Sequence, residues 1–175
     1  MFSLSDVRLL PELPTHHAAV DAIADEAFGP GRFARAAERV REMADYDPSL
    51  SFVAEHHGEI VGSVRLTPIA VGPTPSLLLG PLAVRPDYKN RGVGKALMRL
   101  AADVAREKGE GSIILVGDPP YYQPLGYQPL RPSAVVMPGP VDPRRVLGLE
   151  LLRGSLGGIS GRVGPRASQW NASGG

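Results

Sequence analysis

Apolar residues recur along this chain with two different periods, and the switches between them mark its elements. Val7-Arg8-Leu9-Leu10 is a short extended run stopped by Pro11. Thr15 then predicts an N-cap for a helix whose apolar face is Ala18, Ala19, Ala22, Ile23 and Ala24. Gly29-Pro30-Gly31 breaks that helix, and Phe33, Ala36, Ala37 and Val40 predict a second one over residues 33–43. The strand runs Ser51–Glu55 and Ile60–Leu66 follow, with His56-His57-Gly58-Glu59 as a hairpin turn between them. Pro68, Pro73 and Pro75 punctuate the route to Leu77–Val84, which is apolar throughout, as in a central strand buried on both faces. The most regular helical stripe is Val93, Leu97, Leu100, Ala101 and Val104, with Arg99, Asp103, Arg106 and Glu107 on the other side. Gly109 and Gly111 end it before another buried-type strand, Ser112–Val116. Strand, helix and strand at this spacing predict a crossover unit with parallel strands.

Val146–Leu152 predicts one more strand, so a single α/β (α+β) domain is expected over residues 1–153. From Gly154 the chain is rich in glycine and serine with few large side chains, which predicts a poorly ordered tail over residues 154–175. Asn171-Ala172-Ser173 fits a glycosylation acceptor but has no secretion signal to support it. Composition narrows the picture further. With 175 residues, 43% of them hydrophobic, the chain suits one core. Nineteen basic against 18 acidic residues leave a net charge of +1, too little to recruit nucleic acid or an anionic membrane. There is no cysteine, which excludes disulfides, thiolate metal sites and a cysteine nucleophile. The N-terminal stretch lacks a basic segment followed by an apolar run, and no apolar stretch approaches the roughly 20 residues of a membrane helix. A soluble, cytoplasmic protein is expected, with a homodimer as the default assembly.

Candidate chemistry concentrates at Arg85-Pro86-Asp87-Tyr88-Lys89-Asn90-Arg91-Gly92-Val93-Gly94-Lys95, between a buried strand and the strongest helix. The first amides of a helix lack intrahelical acceptors, and the helix dipole places partial positive charge there. Gly92 and Gly94 remove side chains that would hold a diphosphate away, and Lys89, Arg91 and Lys95 add cationic donors. A tight turn with solvated charges would use the same glycines. A P-loop is excluded because Ala96 follows Lys95, and a dinucleotide fingerprint because Leu97 replaces the third glycine.

Leu82-Ala83-Val84 followed by Lys89-Asn90-Arg91-Gly92-Val93-Gly94 resembles the acetyl-CoA signature of the GCN5-related N-acetyltransferase (GNAT) family, usually written Gln/Arg-x-x-Gly-x-Gly/Ala. Lys89 stands where glutamine or arginine is usual and keeps a donor. The resemblance runs from about Val7 to Leu130, and its nearest subgroup is the bacterial YhbS-like acetyltransferases. It implies a mixed central sheet flanked by helices, with splayed central parallel strands. Acetyl-CoA would then be the cosubstrate, an amine would be acetylated by direct attack in a ternary complex, and the cofactor would lie against residues 82–84 and 89–95.

Gly80-Pro81 inside an otherwise continuous strand is read as a bulge or bend that frees backbone groups, or else as an edge irregularity. By the resemblance, Leu82 and Val84 meet the pantetheine arm, and the Leu82 amide is the oxyanion donor. Tyr122, five residues before Tyr127, matches the family's general acid, which serves the departing sulfur; a phenol is protonated at neutral pH and suits that role. Tyr121 fits a packing role better. The family's asparagine before this helix is replaced by Gly117-Asp118-Pro119. No acid stands on the strand Ser76–Val84, so Glu55, Asp118 or a water chain are left to take the amine's proton. No carboxylate or histidine spacing predicts a metal, and His56 and His57 read as turn residues. Arg32, Arg35 and Arg65 hint at an anionic group on the acceptor, or are simply solvated. A non-catalytic acyl-CoA-binding module would share the turn and the bulge, and a phosphate-binding protein unrelated to CoA would share the turn.

Overall fold

The computed structural model describes residues 1–29 and 36–167. The strands are β1 (Val7–Pro11), β2 (Phe52–His56), β3 (Glu59–Val71), β4 (Thr74–Val84), β5 (Ser112–Val116), β6 (Gln128–Pro129), β7 (Val135–Val136), β8 (Val146–Glu150) and β9 (Gly161–Pro165). The helices are α1 (His17–Phe28), α2 (Ala36–Met43), α3 (Val93–Glu107) and the single turn α4 (Pro119–Tyr122). Phe33, Arg32 and Arg35, and the Asn171-Ala172-Ser173 triplet, lie outside the described residues.

One mixed sheet runs in the order β1-β2-β3-β4-β5-β8-β6, with β9 pairing along β3 and β7. His57 and Gly58 take φ of 50° and 81°, the left-handed pair that a two-residue hairpin turn needs between β2 and β3. α3 packs on one face of β2, β3 and β4, and α1 packs on β3 and β4. Val93, Leu97, Met98, Ala101 and Ala105 of α3 meet Val64, Leu66, Leu77 and Leu79 of the sheet in the larger core. Residues 76–81 of β4 are all buried, so the central strand is as expected. The parallel pair β4–β5 is short: Leu77 faces Ile113 and Leu78 faces Ile114, and the ladder ends there. The two strands then part, which is the expected splay.

Several expectations need correcting. Thr15 does not cap α1; residues Pro14–His16 form a 3-10 turn instead, and the Leu13 amide donates to His16 Nδ1 at 3.0 Å. The buried face of α1 is Val20, Ile23 and Ala24, while Ala18 and Ala22 are exposed, because the bulkier Val20 has more apolar area to remove from water. Pro68 does not interrupt its strand: it falls between the stretch of β3 paired with β2 and the stretch paired with β9. Residues 154–167 of the expected tail also belong to the fold. β9 pairs antiparallel with Ile69–Val71, and its Val163, with Ile159 just before it, enters the second core. Arg166 adds a bidentate pair to Glu110 at 2.8 and 3.0 Å. Two well-placed apolar side chains fix this segment despite its glycine-rich composition.

Candidate active site

A bulge shapes the strand that borders the gap. Leu79 pairs with Leu66 and Leu82 with Val64, so the single residue Arg65 faces Gly80-Pro81. Arg41 of α2 reaches across and donates from Nε to the Gly80 carbonyl at 2.9 Å. Gly80 takes a φ of 132°, which L side chains rarely adopt, and a β-carbon there would also come within 2.7 Å of that guanidinium, so the position favours glycine. Beyond the bulge, β4 and β5 enclose a cleft of about 1120 Å³. Small-molecule sites usually measure about 300–1,000 Å³, so this one suits a long ligand.

The floor and one wall come from Leu79–Leu82 and Val84 of β4, Leu115 and Val116 of β5, and Gly117 just beyond it. The start of α3 closes one end. Gly92, at φ 90°, is its N-cap residue, and no side chain caps the first turn. Asn90 is also left-handed, at φ 62°. The backbone therefore doubles back so that Lys89, Asn90, Gly92, Gly94 and Lys95 all line the cleft next to the uncapped amides. A β-carbon at residue 94 would sit 2.9 Å from the Tyr121 hydroxyl and close to Leu82 and Val84, so Gly94 keeps this end open.

Of the residues expected to hold a cofactor, Leu82, Val84, Lys89, Asn90, Gly92, Gly94 and Lys95 are in the wall. Ala83, Arg91 and Val93 do not present their side chains there. Ala83 is buried on the alternate face of β4, opposite Ser63, as strand alternation dictates. Arg91 lies over the Phe2 ring at 5.1 Å, and Val93 is buried in the core against Gly62. Any contact from these three to a cleft ligand is through the backbone.

Tyr122 hangs from α4 over the end of β5. Its ring covers Gly117 so closely that a β-carbon there would lie 2.2 Å from Cε2. The Tyr121 and Tyr127 rings flank it at 4.7 and 6.2 Å, and Tyr127 is itself buried. Burial, with smaller contributions from Tyr121 and Asp118, pushes the Tyr122 phenol up to about 12. Burial likewise raises Tyr121 above the usual phenol value. Tyr121 is in the wall too, which its expected packing role left out.

The opposite rim is formed by Phe28, Arg41, Pro140, Val141, Asp142 and Arg145. No local pattern in the sequence marks these residues, because they converge from α1, α2 and the loop before β8. Asp118 also lines the cleft and is ion-paired with Arg145 at 3.2 Å. Asp142 is held by Arg144, whose hydrogen bonds lower its pKa. Glu55 is outside the cleft, paired with Arg8 at 3.5 Å. Arg65 is committed to Glu12, with hydrogen bonds of 2.7 and 3.0 Å, and stacks on Tyr46 at 4.2 Å. Its expected role toward an acceptor anion is thereby displaced by a structural one.

Comparison with known proteins agrees with this geometry. Residues 18–127 match the family model described as the acetyltransferase (GNAT) family. The chain is 33% identical over 110 residues to the uncharacterized N-acetyltransferase YjhQ of Escherichia coli, an alignment covering 59% of each protein. It thus spans less than two thirds of that relative. It is 28% identical over 120 residues to the uncharacterized N-acetyltransferase YhbS of E. coli, covering 67% of this chain and 71% of YhbS. The crystal structure of E. coli YhbS in complex with CoA has the same fold, with a TM-score of 0.74 at 23% identity over 95% of this chain and 92% of that one. A Brucella melitensis GNAT acetyltransferase in complex with acetyl-CoA superposes with a TM-score of 0.59 at 24% identity, covering 81% and 94%. The family match takes in the bulged strand, the glycine turn, α3 and Tyr122 together, and the chain belongs to the GNAT acetyltransferase family.

Proposed function

We propose that this protein transfers the acetyl group of acetyl-CoA to a primary amine by direct attack within a ternary complex. One observation carries the reading: a single cleft joins the uncapped start of α3, the bulge of β4 and the Tyr122 phenol. The relatives and fold neighbours named above, two of them with CoA or acetyl-CoA bound, support it.

In this reading the amides of residues 91–95, with Lys89 and Lys95, hold the cofactor's diphosphate. Leu82 and Val84 flank the pantetheine arm, and the Leu82 amide donates to the thioester oxygen as charge develops on it. The amine enters from the rim formed by Phe28, Arg41 and Val141. Its nitrogen forms the new bond to the acetyl carbon, the carbon–sulfur bond breaks, and the sulfur leaves with the bonding pair. Tyr122 serves that sulfur. A phenol at about 12 is a far weaker acid than a thiol near 8.5, so it stabilises the thiolate by hydrogen bonding and does not hand over its proton outright. The two cleft carboxylates are engaged by arginines, so the amine's proton leaves through water.

Thiol release from acetyl-CoA, measured across a panel of amines, tests the proposal. Amine-dependent release is expected with at least one amine, and the acetylated product should be detectable by mass. Binding of acetyl-CoA without release for any amine would favour a non-catalytic acyl-CoA-binding module.

A further inference from the structure

The β2–β3 hairpin carries a cluster that the acetyl-transfer reading does not use. His56 ends β2, and His57 opens the turn. Consecutive strand residues normally point to opposite faces. The left-handed φ of 50° at His57 brings the two rings together instead, with centroids 4.0 Å apart. Val7 pairs with His56 across the β1–β2 ladder, and this register sets the preceding residue, Asp6, beside them. One potential ligand atom from each of Asp6, His56 and His57 lies within 4.8 Å of the other two.

His56 supplies a second, independent observation. Its Nδ1 is 2.9 Å from the Tyr88 hydroxyl, whereas its Nε2 is buried and has no hydrogen-bond partner among the described residues. An imidazole fixed through one nitrogen, with the other left unsatisfied, is the arrangement of a metal-ligating histidine and its supporting partner.

We propose that Asp6, His56 and His57 form a binding site for a divalent transition-metal ion of the zinc type. Two imidazoles and one carboxylate suit such an ion better than magnesium or calcium, which favour oxygen-only shells. In the metal-bound tautomer, His56 Nδ1–H donates to the Tyr88 oxygen and Nε2 coordinates. Zinc–nitrogen bonds of about 2.0–2.1 Å span at most about 4.2 Å between two ligands, so the site closes by a small rotation of the exposed Asp6 and His57 side chains. Water completes a tetrahedral shell on that open side.

The site lies beside the cleft without lining it. Tyr88 connects the two, since it lines the cleft and its hydroxyl meets His56 Nδ1 at 2.9 Å. Phe2 packs on His56 and Tyr88 at 5.3 and 5.6 Å, and Leu4 would be 3.2 Å from a β-carbon on Gly92. A bound ion therefore pins the N-terminal segment across the turn that starts α3.

Zinc binding by the purified full chain, in competition with a chromophoric chelator, tests the proposal. The expected result is one equivalent bound by the native protein and an affinity at least about tenfold lower in both Asp6→Asn and His57→Ala. These two side chains are exposed, so the variants should fold, and circular dichroism confirms it. Zinc should also raise the melting temperature of the native protein and not of the variants. His16→Ala and His17→Ala should leave binding unchanged. Equal zinc affinity in the native protein, Asp6→Asn and His57→Ala, or loss of binding in the His16 or His17 variants, would overturn the assignment.

Discussion

Tyr122 and Gly117 act as one unit, because the ring of the first lies where a β-carbon of the second would be. Tyr122→Phe removes only the hydroxyl; kcat is expected to fall by about 10²-fold with little change in KM for acetyl-CoA, as checked by steady-state thiol release. Gly117→Ala should lower kcat comparably although it removes no catalytic group, because it displaces the Tyr122 ring. The pH profile follows from the same residue. Tyr122 is shifted upward from 10.0, so its neutral form is the favoured one and its donor is lost only as pH rises through about 12. The kcat/KM profile should climb as the acceptor amine deprotonates and show no descending limb over roughly pH 8 to 10. A decline within that range would contradict the assignment. That Tyr122 lines the cleft agrees with the family resemblance, which sets a tyrosine five residues before Tyr127. Arg41 could not be read from the sequence, because nothing local ties a helical arginine to a carbonyl 39 residues away.

At the scale of elements, the bulge and the glycine turn were both readable from residue types alone. Proline cannot donate to a ladder, and Gly92 adopts a φ of 90° that L side chains avoid. Gly92→Ala should cost about 1–2 kcal/mol in chemical denaturation, since its left-handed conformation is penalised for any β-carbon. What could not be read was how strand alternation and helix register divide the signature. Val93 and Ala83 turn into the core, and Arg91 turns onto Phe2. The strand opposite the bulge depends on a different residue pair. The Glu12 side chain is wholly buried and satisfies Arg65, Tyr46 and, at 3.6 Å, His17. Glu12→Ala leaves the half-buried arginine unpaired and is expected to destabilise the protein by about 3–5 kcal/mol, measured as a lower denaturant midpoint. Nothing in the spacing of Glu12 and Arg65 announces their pairing, because only the sheet brings them together.

For the whole molecule, the order of strands and helices follows from the apolar periodicity, whereas the C-terminal edge does not. Composition pointed to disorder after Gly154, yet Ile159 and Val163 are 4% and 6% exposed and seal the second core. Removing residues 159–175 should therefore destabilise the domain by more than about 3 kcal/mol, since each buried aliphatic side chain contributes about 1.5–3 kcal/mol. A matching drop in melting temperature checks this. No helix among the described residues is long and apolar enough to cross a membrane. In the proposed function a single cleft takes up an acyl-CoA along the start of α3 and the bulge of β4. Calorimetric titration of acetyl-CoA into the purified protein, with ATP as the control nucleotide, tests that most directly. Saturable one-to-one binding of acetyl-CoA with no comparable ATP binding is predicted, and failure of acetyl-CoA to bind, or equal binding of ATP, would contradict it.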